Sequence, residues 1–417
     1  MIKLIHTADV HLDSPLQTLA LRDPDLRDRI QCASRDAFTR IVEHAIEHSV
    51  TAVLIAGDLF DSAARSAKTA AFLLAELSRL NQVGIKVFYI KGNHDAENPL
   101  TGDTTLPDNV HVFDGEGDCV QLPGCDVWIH GVSFSEKKAE KSLLGKFSTP
   151  VADAINIGML HTSLNGSASH DVYAPCSVNE LINTGFDYWA LGHIHKRQVH
   201  CEAPWIVMPG IPQGRDIGEP GAQSATLITI DEGRVGTSDF PTSSIEFNTL
   251  IINISELKDA ADLQDMTRNA LQAHLGTIQS GDGVVRIRLQ GQSALRWQWL
   301  RDRDQWFETV KLQCRQTERL WVEKLIFEVD DTAKPVPDTS ALGELSTLMS
   351  TIRNEEAFRE DAIALITEIL AALPASQRKI LLPGETSVQE WASRLSQQGE
   401  EQLLAVMKGV GERGADT

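Results

Sequence analysis

Five times in its first 195 residues the chain runs through a short apolar stretch and then breaks into residues that bind cations. Residues 2–7 lead to Asp9-Val10-His11. Residues 51–56 lead to Gly57-Asp58-Leu59-Phe60-Asp61, and residues 86–90 to Lys91-Gly92-Asn93-His94-Asp95. Residues 155–160 end at His161, and residues 188–191 at Gly192-His193-Ile194-His195. Short apolar runs rich in β-branched residues read as buried strands. Where such strands alternate with helices, ligands bind beyond the strands' carboxyl ends. The expected fold is α/β (α+β), a two-sheet sandwich with all its ligand loops at one end.

The glycines before Asp58, Asn93 and His193 let the backbone turn sharply and approach a ligand closely. Asp9 and His11 stand two apart, so alternation along an extended backbone points both to one side. Carboxylate, imidazole and amide ligands suit a divalent ion such as Mn²⁺, Fe²⁺ or Zn²⁺. No thiolate is among them, which disfavours a structural zinc site. The set is large enough for two ions if a carboxylate bridges, and Asp58 is the central one. Two ions about 3.5–4 Å apart clamp a phosphoryl group and activate a water for in-line attack. A histidine taken alone is ordinarily a packing or surface residue, and His6, His44, His48, His111, His170 and His200 are read that way.

The rest of the chain divides by pattern. Residues 22–48 and 63–81 are helical in periodicity, and residues 110–134 read as short antiparallel strands between glycine turns. Lys137, Lys138, Lys141 and Lys146 form a basic cluster, either a solvated loop or a contact to a phosphate backbone. The first domain is assigned to residues 1–245. Residues 246–331 repeat strand–helix–strand–helix–strand without a ligand cluster and read as a cap. There Arg286, Arg288, Arg296, Arg301, Arg303, Arg315 and Arg319 interleave with Trp297, Trp299, Trp306 and Trp321. Arginines on phosphates with aromatics on unpaired bases would make a nucleic-acid face. A tryptophan core with a solvated arginine rim fits equally. Residues 332–417 are a proline-marked linker and amphipathic helices, which either pack on the body or dock a partner.

The chain has 417 residues, is 42% hydrophobic and carries a formal net charge of -20. That balance disfavours a solitary protein gripping nucleic acid by charge. Six cysteines with no Cys-x-x-Cys pair read as reduced and cytosolic. No signal peptide and no bilayer-spanning run is recognised, so the expected location is the cytoplasm, away from membranes.

The five ligand segments together resemble the motifs of the calcineurin-like metallophosphoesterases. Leu4 to Pro15, Gly57-Asp58-Leu59-Phe60-Asp61 and Phe186 to His195 are more closely similar to SbcD-type DNA exonucleases, in particular the YhaO-like branch. Met208-Pro209-Gly210 and Gln213-Gly214-Arg215 add weaker support. The resemblance implies a metallophosphoesterase sandwich flanked by helices, with a small βαβαβ cap and a helical tail. It implies that Asp9, His11, Asp58 and His195 hold one ion, and Asp58, Asn93, His161 and His193 the other. Mn²⁺ is the expected metal, with Fe²⁺, Zn²⁺ or Mg²⁺ as alternatives. His94 would donate a hydrogen bond or proton to the phosphate or leaving oxygen. Asp61 would orient His94, or else cap the helix that follows.

The function implied is a metal-dependent DNA nuclease, an exonuclease working as a homodimer with an SMC-like coiled-coil ATPase in repair or defence. The same motifs would also serve a phosphodiesterase or phosphatase acting on a small molecule or phosphoprotein. An inactive scaffold is the third reading, and the filled ligand positions argue against it.

Overall fold

The computed structural model describes residues 1–14, 24–61, 66–96, 105–136, 139–164, 173–255, 257, 259–331, 341–373, 378 and 387–414. Lys137 and Lys138 lie outside the described residues. Two compact units form, Met1–Asn248 with Ile278–Gly283, and Thr249–Thr277 with Val284–Thr417.

Among the described residues the first unit is built on two mixed sheets of six strands each, flanked by helices, as the two-sheet reading expects. Strands β1 (Ile2–Thr7), β2 (Ala52–Ala56) and β3 (Lys86–Ile90) run parallel. Helices α1 (Pro24–Glu47) and α2 (Ala67–Gln82) carry the chain back between them, as parallel neighbours require. β4 (Val110–Val112) pairs parallel with β3 at one edge. In the second sheet β5 (Asp118–Gln121) pairs antiparallel with β6 (Val127–Gly131), and β6, β7 (Ile155–His161) and β8 (Tyr188–Gly192) are parallel. The short α3 (Val178–Asn183) precedes β8, opened by a Ser177–Glu180 capping box. β9 (Gln198–Glu202) and β10 (Trp205–Met208) follow, giving the order β5-β6-β7-β8-β10-β9. The chain then returns to the first sheet with β11 (Ser224–Asp231) and β12 (Arg234–Pro241), giving the order β12-β11-β1-β2-β3-β4.

Alternation explains why the central strands are apolar throughout. Ile5, Val53, Ile55 and Val87 face Phe38, Ile41, Leu73 and Leu77 of the two helices. Leu4, Leu54 and Phe88 face the other way, onto Ile129, Ile157, Met159 and Tyr188 of the second sheet. A third layer of Leu160, Trp189, Leu191 and Leu181 covers the second sheet's outer face. Strands buried on both faces lose the hydrophobic–polar alternation of a half-exposed strand.

The structure corrects several expectations. Residues 110–134 are not a run of antiparallel strands, because β4 belongs to the first sheet and only β5 and β6 pair antiparallel. The helix after Asp61 begins at Ala67 and is capped by Ser66, whose side chain accepts from Lys68 N, so Asp61 is not its cap. Strand β9 escaped the sequence reading because it is a mostly exposed edge strand.

The second unit is organised on the sheet β13-β14-β15, formed by β13 (Ile245–Asn253), β14 (Asp282–Gln292) and β15 (Leu320–Asp330). Helix α4 (Ala260–Leu275) starts at the Asp259 cap. The second helix of the strand–helix–strand–helix–strand pattern is two, α5 (Arg296–Arg301) and α6 (Arg303–Arg315), joined at Asp302. Among the described residues, helices α7 (Ala341–Asn354), α8 (Glu356–Ala372) and α9 (Val388–Gly414) follow. Ile366 and Leu370 pack on Ala392 and Trp391, while Leu365, Ile369, Leu403 and Met407 are exposed. Among the described residues no helix is long and apolar enough to cross a membrane.

His6 on β1 ties the two sheets together. Its Nε2 donates to the Leu191 carbonyl of β8 at 2.9 Å, and its Nδ1 accepts from the Tyr188 hydroxyl at 2.9 Å. Burial pushes this imidazole down to about 3, against the pull of the Leu191 carbonyl. The folded chain therefore keeps His6 neutral where the unfolded chain, near 6.5, takes a proton. Stability tied to His6 is full above pH 6.5 and is lost as pH falls toward about 3. Urea midpoints of a His6→Gln variant should fall less between about pH 7 and about pH 5 than those of the parent. Parallel slopes would show that His6 does not carry the acid sensitivity.

Candidate metal centre

All five ligand segments emerge at one edge of the sandwich. β1, β2 and β3 deliver Asp9, Asp58 and Asn93 from the first sheet, and β7 and β8 deliver His161 and His193 from the second. Beyond the strand ends the first two loops still run side by side. Asp9 N donates to Gly57 O at 2.9 Å, His11 N to Asp58 O at 3.1 Å and Leu12 N to Leu59 O at 3.0 Å.

Asp9 and His11 do not point together through extended alternation. Both adopt positive φ, 53° and 44°, as do Asp58 at 52° and His193 at 103°. Non-glycine residues in this region cost roughly 1–3 kcal/mol each and persist where their surroundings over-determine them. The over-determination is visible. His193 N donates to Asp9 Oδ2 at 2.9 Å, and His94 N to Asp58 Oδ1 at 2.9 Å. Fully buried Asp95 accepts from Leu59 N, Phe60 N and Gly92 N, so it clamps the second and third loops together. Asp13, also at positive φ, receives both Nε and Nη2 of Arg35 on α1 and the Thr69 hydroxyl of α2.

The ligand atoms gather into three overlapping groups: Asp9, His11 and His195; His11, Asp58 and His94; and Asp9, Asp58 and His161. Both Asp9 and Asp58 thus join two groups. His161 Nδ1 donates to the Ala56 carbonyl at 3.0 Å, which turns Nε2 toward Asn93 Oδ1 at 3.1 Å and Asp58 Oδ2 at 3.4 Å. His195 Nε2 lies 3.2 Å from His11 Nε2 and 3.9 Å from Asp9 Oδ1. His193 stands edge-on to His161 and to Tyr173, with 5.2 Å between ring centres in each case, and falls in none of the three groups. His94 Nδ1 is 3.9 Å from Asp61 Oδ1, beyond hydrogen-bond reach, while Asp61 Oδ2 accepts from the Ser14 hydroxyl at 2.8 Å.

The electrostatics fit a divalent ion. Burial raises the Asp9 carboxyl, against the pull of His161 and His195. Asp58 meets the same desolvation, but His161, His11 and His94 hold it below the carboxylate range. Burial alone would lower His161; the charges of Asp58 and Asp9 reverse the sign and push it up to about 9. A proton on His161 thus balances the buried carboxylates when no ion does. Asp9 Oδ1, buried, has no hydrogen-bond partner among the described residues. A buried carboxylate oxygen without a donor is costly, and a cation satisfies it.

The site opens into a cleft of about 840 Å³ lined by Asp58, Asn93, His94, His193 and His195, with Tyr173, Lys196 and Arg197 on its walls. Sequence reasoning gave no role to Lys196, Arg197, Asp13, Asp95 or Glu219. Glu219 Oε1 lies 2.7 Å from His195 Nδ1. Only the adjacency of Lys196 and Arg197 to His195 was a usable signal, since Glu219 sits in a glycine-rich loop without a pattern.

Among the described residues, several of the second unit's arginines are engaged in pairs. Arg286 is paired with Glu323, Arg288 with Glu328, Arg301 with Asp302 and Arg303 with Asp304. Arg296 donates to the Val329 carbonyl and lies over the Trp297 ring. In the first unit Lys146 donates to the Gly115 carbonyl.

Residues 2–197 match the family model of the calcineurin-like phosphoesterases, and residues 247–330 match the middle domain of metallophosphoesterase YhaO. Over 347 residues the chain is 31% identical to metallophosphoesterase YhaO of Bacillus subtilis, covering 80% of this chain and 83% of that one. The chain belongs to the YhaO-type calcineurin-like metallophosphoesterases. It is also 29% identical over 203 residues to the DNA double-strand break repair protein Mre11 of Methanocaldococcus jannaschii, covering 46% of this chain and 51% of that protein. For Mre11 of Methanopyrus kandleri the figures are 26% over 235 residues, 51% and 49%. The chain thus spans about half the length of these Mre11 relatives. As a calcineurin-like phosphoesterase it is a hydrolase, and the family implies divalent metal ions.

Gly92 is one of the positions at which this YhaO-type site has no room for a side chain. A Cβ there would overlap Asp58 Oδ1 and crowd the Asp58 backbone nitrogen. Gly92→Ala should therefore weaken Mn²⁺ uptake by about tenfold or more, read by titration of the metal-free protein. Gly145→Ala, where a Cβ meets nothing within 4 Å, is the control and should bind as the parent does. Full uptake by Gly92→Ala would contradict the crowding argument.

Proposed function

We propose that this chain is a DNA nuclease that hydrolyses phosphodiester bonds with two divalent ions, Mn²⁺ by preference. The observation that carries this reading is the metal-ligand cluster at the floor of a cleft with two cationic residues on its wall. Asp9, His11, Asp58 and His195 would hold one ion, and Asp58, Asn93, His161 and His193 the other. Bound there, the ions supply Lewis acidity to the phosphoryl oxygens and an activated water. His94, at the cleft, is positioned to donate to the leaving oxygen, with Asp61 on its far side. Orientation of His94 by Asp61 would require their 3.9 Å separation to shorten when substrate binds.

A cleft of about 840 Å³ is at the upper end of the roughly 300–1,000 Å³ that ligand pockets span. Lys196 is exposed there and, among the described residues, has no ion-pair partner. Arg197 is steadied by the Thr226 hydroxyl. Both follow His195 directly, so they are suited to the phosphates flanking the one being cut. The similarity to Mre11, a DNA double-strand break repair protein, favours DNA over a small ester. We extend the proposal to exonucleolytic action in repair or defence, in the cytoplasm and as a homodimer, and the repair role in the name of the Mre11 relatives supports the first of these. The formal charge of -20 suits a protein whose grip on DNA is shared with a partner. Exposed Leu365, Ile369, Leu403 and Met407 on the last helices offer an apolar face for an SMC-like coiled-coil ATPase. The paired arginines of the second unit give less support to a nucleic-acid face there.

The test compares linear duplex DNA with bis(4-nitrophenyl) phosphate under Mn²⁺. Both should be hydrolysed. Lys196→Ala should weaken DNA binding and reduce the dependence of log affinity on log salt by about one unit, with KM for the small ester unchanged. Hydrolysis of the ester with DNA left intact, even with the ATPase partner added, would replace this reading with a small-molecule phosphodiesterase.

A further inference from the structure

His195 is held from behind by two residues that no ligand motif includes. Its Nδ1 lies 2.7 Å from Glu219 Oε1. Glu219 is in turn gripped by Arg215. The Arg215 amide donates to Oε2 at 2.8 Å, Nε to both oxygens at 3.2 Å, and Nη2 to Oε1 at 2.7 Å. Arg215 Nη2 also comes within 2.8 Å of His195 Nδ1. All three side chains are partly buried, Glu219 the most deeply at 14% exposed.

Glu219 only accepts and Arg215 only donates, so the Glu219 bond needs the proton on Nδ1 and the Arg215 Nη2 approach is then a close contact and not a hydrogen bond. The lone pair is then on Nε2, the nitrogen that faces Asp9 Oδ1 and His11 Nε2. The guanidinium fork fixes the plane of the carboxylate, and the carboxylate fixes the plane of the ring. On the other side of the cluster, His161 Nδ1 has a backbone carbonyl, that of Ala56, in the same role. One histidine is therefore backed by a charge and the other by a neutral dipole. A carboxylate behind an imidazole raises its basicity toward a metal ion.

We propose that Glu219, locked by Arg215, is a positioning residue for His195 and makes the two ion positions unequal. The ion held by Asp9, His11 and His195 is the tighter one, and Glu219 acts on it alone. This inference rests on the two-ion reading given above.

Titration of the metal-free protein with MnCl₂ by calorimetry tests it, with the melting temperature of the metal-free protein followed in parallel. The parent should show two classes of site. Glu219→Ala should weaken the tighter class by about 10- to 100-fold and leave the weaker class nearly unchanged, at a temperature below the melting point of the metal-free variant. Glu219→Gln keeps an accepting oxygen and should recover part of the loss, and it carries the test if the alanine variant does not fold. Arg215→Lys keeps the charge without the fork and should fall between. Unchanged binding in Glu219→Ala would overturn the proposal, as would equal weakening of both classes. A parent that binds a single ion would refute the two-ion reading instead, and the effect of Glu219→Ala on that ion would still decide whether the clasp positions His195.

Discussion

Two carboxylates, Asp9 and Asp58, are buried side by side with almost no contact with water. Burying unpaired charge is prohibitive unless something positive answers it. Here His161 answers it, pushed up to about 9 by the charges of Asp58 and Asp9 against its own burial. Divalent ions satisfy the same demand more fully. Much of the upper edge of the sandwich is explained by the need to bring these groups together and keep them there.

That need fixes the backbone. Four of the ligand-bearing residues sit at positive φ, and the loops holding them are laced to one another by backbone amides and by Asp95. Glycines at 57, 92 and 192 leave room where a Cβ would strike His161, Asp58 or the Ala56 carbonyl. The strain is carried by the layers beneath, where strands from both sheets are buried on two faces. His6, bridging β1 to β8 through the Leu191 carbonyl, keeps those sheets in the register on which the ligand geometry depends.

How much of this is readable without coordinates varies with the physics involved. The five ligand-bearing strand ends were legible because each follows an uninterrupted apolar run, and the polar residue at its end stands out. That Asp9 and His11 converge was legible, but not how, since residue spacing says nothing of left-handed backbone. Strand β9 was invisible because a mostly exposed edge strand leaves no apolar pattern. Glu219 was invisible for a different reason. Its partner His195 is 24 residues away and the loop that returns it carries no periodicity. Arg286 and Arg288 were legible as charge but not as pairs, because Glu323 and Glu328 reach them from the neighbouring strand of the sheet.

On the proposed reading, the buried pair of carboxylates holds two ions close enough to act on one phosphate. Electron paramagnetic resonance of the protein loaded with two equivalents of Mn²⁺ tests it most directly. Ions about 3.5–4 Å apart should give the spectrum of an exchange-coupled pair. Replacing Asp58, the carboxylate expected to bridge, should return it to isolated single-ion lines. Isolated lines from the unaltered protein at full loading would contradict the account.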